Sequence, residues 1–182
     1  MVINSSDTKT AVIFGGTGFI GSFFSKALLN KNLFNKVYLV DLDDISEKDF
    51  HFRKKFLQGD NRINFIRGDV RKNLDSLPIR DEVNLICNFA AIHREPGHEK
   101  EEYFETNILG AENVCKWAEN VSCKKIIFTS SISPYGISEN YKNENTLPTP
   151  DTPYGSSKLI AEKIHENWRL KNHSNALIIV RP

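Results

Sequence analysis

The sequence predicts an α/β fold in which one parallel sheet is wound on both faces by helices. Three observations predict it: short apolar runs rich in Val, Ile and Phe recur along the 182 residues, longer amphipathic or charged stretches separate them, and the first run ends in a glycine-rich turn. Uniformly apolar strands are those buried on both faces, the condition of a parallel sheet covered by crossover helices.

The strands are expected over Thr10 to Phe14, Lys36 to Val40, Ile63 to Arg67, Val83 to Phe89, Lys125 to Thr129 and Ala176 to Val180. Helices fill the gaps. The clearest runs from about His98 to Asn120, where Phe104, Ile108, Ala111, Cys115 and Ala118 fall on one stripe and Glu99, Glu101 and Glu102 sit near the positive N-terminal end. Another is expected from Pro153 to about Lys171, with Pro in the first turn and Ile160, Ile164 and Trp168 on one face. The segment from Asp41 to Asp60 reads as a surface helix with Phe50, Phe52, Phe56 and Leu57 on a partly apolar inner face. Ile132 to Thr152 is a polar, Pro-rich connection, longer than a compact domain usually tolerates without a functional reason, and is expected to border a site.

Composition narrows the classes. Lys and Arg (24) nearly balance Asp and Glu (23), so there is no electrostatic footprint for nucleic acid or an anionic membrane, and a small molecule is the expected partner. No apolar stretch approaches the roughly 20 residues that span a bilayer. Cys87, Cys115 and Cys123 lack metal-ligand spacing, and residues 1–10 have no apolar signal core, so a reduced, cytoplasmic setting is expected. His93 and His98, without a third ligand, do not make a metal site. Cys87 and Cys115 read as core residues, and Cys123 as a loop thiol.

Gly15-x-x-Gly18-x-x-Gly21 follows an apolar strand and opens a helix, the context that separates a dinucleotide turn from a chance spacing. Glycines let the backbone approach a pyrophosphate, and helix N-terminal amides bind its charge. Gly15, Gly18, Phe19, Ile20 and Gly21 are the candidate cofactor contacts of this turn. Asp41, about 20 residues on at the end of the second strand, can accept hydrogen bonds from ribose hydroxyls and repel a 2′-phosphate, favouring NAD over NADP, with Asp43 and Asp44 as competing acids. Tyr154 and Lys158, four residues apart, share a helix face, where an ammonium lowers the phenol pKa and prepares it to exchange a proton with a substrate hydroxyl.

Together with Gly68-Asp69-Val70, Asn88-Phe89-Ala90-Ala91, Thr106-Asn107-Ile108-Leu109-Gly110, Thr129-Ser130-Ser131 with Tyr135-Gly136, and Arg181-Pro182, these motifs give a chain that resembles the extended short-chain dehydrogenases/reductases, in the nucleotide-sugar epimerase/dehydratase branch. The resemblance implies a Rossmann-type sheet in the order 3-2-1-4-5-6, bound NAD and a nucleotide-diphosphate sugar as substrate. It also implies catalytic Ser131, Tyr154 and Lys158, with Ser130 and Ser133 as alternatives to Ser131. Asp69 and Val70 would meet the adenine ring, Ala90 and Ala91 would let the cofactor approach the backbone, and Lys158 would hold the nicotinamide ribose. His93 and Arg94 would lie near the nicotinamide or sugar, and Asn107 would be a polar prop behind the site. Dehydratase relatives carry an acidic pair where this chain has Ser131-Ile132-Ser133-Pro134-Tyr135, so epimerisation is the first expectation and reduction or dehydrogenation the second. A non-catalytic NAD-binding scaffold is a further alternative. By the same resemblance, residues 1–182 form an NAD-binding domain whose substrate-binding portion would follow Pro182, so the chain alone is expected to turn over sugar poorly. The 98–120 and 153–171 helices would form the four-helix contact of a homodimer.

Overall fold

Burial decides the sheet: all five residues of β1 (Thr10–Phe14) are buried, and so are Val37 to Val40 at the centre of β2 (Lys36–Asp41). The computed structural model describes residues 9–43, 55, 57–93, 97–137 and 141–182. The remaining strands are β3 (Ile63–Arg67), β4 (Val83–Asn88), β5 (Lys125–Thr129) and β6 (Ala176–Val180), and the helices are α1 (Phe19–Asn30), α2 (Lys100–Tyr103), α3 (Gly110–Asn120) and α4 (Pro153–Leu170). The sheet is parallel in the order β3-β2-β1-β4-β5-β6, as expected. Strand order therefore reverses between β1 and β4, and a crevice forms outside the carboxyl ends of the strands there.

Alternation along the central strands divides the core between the two faces. Phe14, Tyr38, Ile86, Val114, Trp117 and Trp168 pack on one side, with the Phe14 and Trp117 rings edge to face at 5.5 Å. Ile13, Leu29, Leu39, Leu85 and Cys87 pack on the other, under α1. The strand expectations hold to within a residue: β2 extends to Asp41 and β4 stops at Asn88.

Three helix expectations need correction or limit. The long helix is not uniform, because a π-helical segment, Phe104–Leu109, joins α2 to α3. The wider turn rotates the face presented to the core, so Phe104 and Ile108 are only half-buried while Asn107 is buried. At its start, the Glu102 carboxylate accepts the Glu99 N–H at 2.9 Å. In α4, Pro153 takes the first turn and the Thr152 hydroxyl accepts the Gly155 N–H at 3.0 Å; of the expected apolar stripe Trp168 is buried and Ile164 packs against the core, but Ile160 does not. Ile160 is 42% exposed, whereas Lys158, Glu162 and His165 join Ala161 and Trp168 on the buried face. Hydrogen bonds and an ion pair from that face to β5 and the end of β6 make its burial tolerable. The helix expected over 41–60 falls largely outside the described residues, Phe50, Phe52 and Phe56 included, while Leu57 is buried in the core.

All three thiols are buried and free, Cys123 as well as Cys87 and Cys115. Burial raises each thiol pKa, that of Cys115 to about 12, so none is an activated nucleophile. Among the described residues, no helix is long and apolar enough to cross a membrane, and no group of three or more His, Cys, Asp or Glu is placed to hold a metal.

Candidate cofactor and catalytic site

A cavity of about 500 Å³ opens at the carboxyl ends of the strands. Gly15, Gly18, Phe19, Ile20, Gly21, Asp41, Asp69, Val70, Ala90, Ala91, His93, Ser131, Tyr154 and Lys158 all line it. Of the residues singled out in the sequence as contacts, Arg94 and the competing acid Asp44 lie outside the described residues.

The turn after β1 is built for close backbone approach. Gly15 has φ +73°, and a Cβ there would stand 2.7 Å from the Ala90 nitrogen, so any side chain would drive the turn away from the end of β4. Gly18 caps α1 with extended geometry, no side chain caps the helix, and its first turn holds no acid. The positive end of α1 is thus open toward the cavity. Asp41 is held from behind, since Oδ2 accepts both the Thr17 N–H (3.0 Å) and hydroxyl (2.7 Å), while Oδ1 accepts the Leu42 N–H at 2.8 Å. Asp43, which competed for this role in the sequence, offers its carbonyl to Thr17 and does not line the cavity, and Asp44 lies outside the described residues. Asp69 is clamped by Arg71 at 2.8 Å, and that guanidinium lowers its pKa.

On the opposite wall, α4 carries half-buried Tyr154, whose ring centroid lies 6.1 Å from that of Tyr103. One turn on, Lys158 is 2% exposed; its Nζ donates to the Thr129 carbonyl at 2.6 Å and sits 4.3 Å from the Phe128 ring centroid. Burial lowers its pKa to about 7 against the opposing pull of Glu162. Ser131 Oγ lies 3.1 Å from Ser133 Oγ and accepts the Ser133 N–H at 3.2 Å. Ser130 is buried and also lines the cavity; Ser133 does not. Asn107 is a prop with distant partners: it accepts the Ile92 N–H (3.0 Å) and donates to the Ile92 carbonyl (3.1 Å) and to Ser157 Oγ (2.9 Å). It ties the wall containing Ala90 and Ala91 to α4.

The sequence reading missed Leu42, Arg71, Thr106 and Pro182 as lining residues. Thr106 was in view within Thr106-Asn107, and only the π-helical turn decides that it faces the cavity. Nothing local marks Arg71.

The profile of the NAD dependent epimerase/dehydratase family matches residues 11–182. The chain belongs to that family. Its members include enzymes, and NAD is the cofactor of the family. The chain is 31% identical over 173 residues to an N-acetyl-alpha-D-glucosaminyl-diphospho-ditrans,octacis-undecaprenol 4-epimerase of Escherichia coli O157:H7, covering 94% of this chain and 47% of that protein. It is 28% identical over 175 residues to UDP-glucose 4-epimerase of Bacillus subtilis (strain 168), covering 93% and 51%. The solved UDP-glucuronic acid 4-epimerase of Bacillus cereus, in complex with NAD, superposes with a TM-score of 0.77 at 25% identity, over 94% of this chain and 56% of that one. A dTDP-glucose 4,6-dehydratase of Bacillus anthracis shares the fold, with a TM-score of 0.78 at 24% identity. The chain spans about half the length of the curated relatives it matches. Within this epimerase/dehydratase match the residues fit a dinucleotide: a helix N-terminus without a side-chain cap, suited to a pyrophosphate, and a carboxylate fixed from behind at the end of β2, suited to ribose hydroxyls.

Proposed function

We propose that residues 1–182 are the NAD-binding domain of a nucleotide-sugar 4-epimerase. The observation that carries this reading is the convergence of Ser131, Tyr154 and Lys158 with the glycine turn and Asp41 on one cavity. NAD, when bound, supplies the hydride acceptor. Tyr154 takes the proton of a sugar hydroxyl as its carbon is oxidised and returns it when the keto group is reduced; Ser131 hydrogen-bonds the same oxygen. Lys158 would hold a ribose hydroxyl of the bound cofactor and stabilise the Tyr154 phenolate. Gly15, Gly18, Phe19, Ile20, Gly21, Asp69, Val70, Ala90 and Ala91 would enclose the cofactor, and His93 and Arg94 remain the residues proposed to contact the sugar diphosphate. The absence of acids between Ser131 and Tyr135 favours epimerisation over 4,6-dehydration. Three free thiols suit a reducing, cytoplasmic setting, and α3 with α4 is the surface proposed for a homodimer.

Calorimetry tests the first half of this reading: the chain binds NAD more tightly than NADP, and the absence of NAD binding refutes the assignment. Single-turnover hydride transfer from UDP-glucose, followed by the absorbance of reduced nicotinamide, tests the second. Tyr154→Phe is expected to slow it by about 10² to 10⁴-fold with NAD affinity kept, and an unchanged rate removes Tyr154 as the proton carrier.

A further inference from the structure

Behind the cavity, and unused by the chemistry above, lies a buried ionic cluster. Glu162 is fully buried one helical turn beyond Lys158 on the same face of α4. Arg181, just past β6, grips both of its oxygens, Nε to Oε1 at 2.8 Å and Nη2 to Oε2 at 2.5 Å. The remaining fork of Arg181 donates to the Tyr135 hydroxyl, and its guanidinium carbon lies 4.8 Å from the Tyr135 ring centroid. Tyr135 closes the 3-10 turn that follows Ser131, and a Cβ at Gly155 would stand 2.7 Å from the Ser133 carbonyl, so turn, strand end and helix meet with no slack. A carboxylate removed from water this completely demands compensation, which Arg181 supplies directly, while Lys158 lies one turn away on the same buried face of α4.

We propose that Glu162 and Arg181 are a positioning pair that acts on the site through Lys158: Glu162 supplies negative charge behind the ammonium, and Arg181 meters that charge by occupying both carboxylate oxygens. The inference rests on the reading of Lys158 as the partner of Tyr154. Among the described residues, the titratable groups beside Lys158 are Tyr154, Glu162 and His165 on its own helix, and Arg181 from the end of β6 and Tyr135 from the 3-10 turn connect to it through Glu162. From β5 come the Thr129 carbonyl and the Phe128 ring, which carry no charge. His165 is held neutral by burial, its Nδ1 2.7 Å from the Ala161 carbonyl and its ring stacked on Phe128 at 4.2 Å, so it adds no second positive charge beside Lys158. Metering matters because Lys158 has to support a phenolate in one half of the reaction without holding it so firmly that the proton is not returned.

The test is the titration of Lys158 in the 182-residue chain, read by NMR of a labelled lysine side chain and assigned with Lys158→Met. Glu162→Gln is expected to lower the midpoint by about one unit, and Arg181→Gln to raise it by a similar amount. A purely structural pair would disturb the fold in both variants and would not move Lys158 in opposite directions. Midpoints that stay put, or that shift in the same direction, overturn the proposal. Should either single variant fail to fold, the double variant Glu162→Gln/Arg181→Met removes both members of the ion pair together and is expected to lower the midpoint; an unchanged midpoint there refutes the idea equally. NAD calorimetry on wild type separates this result from the functional reading, because the Lys158 shifts are measured without cofactor.

Discussion

The two walls of the cavity are made in opposite ways. The wall after β1 and β2 presents main chain: a turn that excludes side chains, an uncapped helix end, and one carboxylate pinned by Thr17. The wall made by β5, β6 and α4 rests on buried side chains, with Lys158, Glu162 and His165 all at most 2% exposed and Arg181 locking the edge. A surface made of backbone is specified by what each position must lack, so single glycines carry it. A surface made of buried charges is specified by pairs from distant segments, so no one residue carries it.

Substitution at the turn should break the first wall outright. Gly15→Ala places a side chain at φ +73° against the end of β4 and is expected to cost about 4 kcal/mol, summing left-handed strain and a backbone clash, with NAD binding lost; urea unfolding and calorimetry check both. The second wall should announce itself through pH. His165 has its pKa lowered to about 4, chiefly by burial, from the ordinary 6.5, so between those values the unfolded chain takes up a proton that the folded chain refuses. Stability therefore rises with pH across that window and falls on acidification, by at most about 3 kcal/mol. In His165→Phe, which keeps a ring on Phe128, urea midpoints measured from pH 4 to pH 7 should lose that slope; an unaltered slope would assign the acid sensitivity elsewhere.

Smaller effects sharpen the contrast. Thr17→Val removes the hydroxyl that pins Asp41 and keeps the N–H bond, so NAD affinity should drop roughly fivefold, about 1 kcal/mol, with weaker preference over NADP. On the outer face of α4, Lys163 pairs with Glu166 at 2.8 Å in the open. Lys163→Ala should change stability by no more than about 0.5 kcal/mol, and a larger loss in thermal unfolding would show that charge on this helix matters outside as well as inside.

Legibility follows the same division. The strands and the glycine turn could be read because apolar runs and glycine spacing are local signals, and Tyr154 and Lys158 because four-residue spacing defines a helix face; the strand order came from the family resemblance. The buried face of α4 could not be read that way. Hydropathy favours Ile160 and Ile164 over Lys158, Glu162 and His165, and the ranking reverses only because Arg181, Asn88 and Thr129 are waiting opposite. The same holds for Thr106, turned into the cavity by a π-helical segment that no spacing rule marks.

By itself, then, the sequence determined the strands, the glycine turn and the Tyr154 and Lys158 pair, since each depends on residues close together along the chain. The tertiary structure alone decided which acid faces the cavity, which side of α4 is inward, and that a carboxylate and a guanidinium 19 residues apart meet behind Lys158. The physical reason is that a buried charge is tolerated only beside its partner, and the partner's place is set by packing.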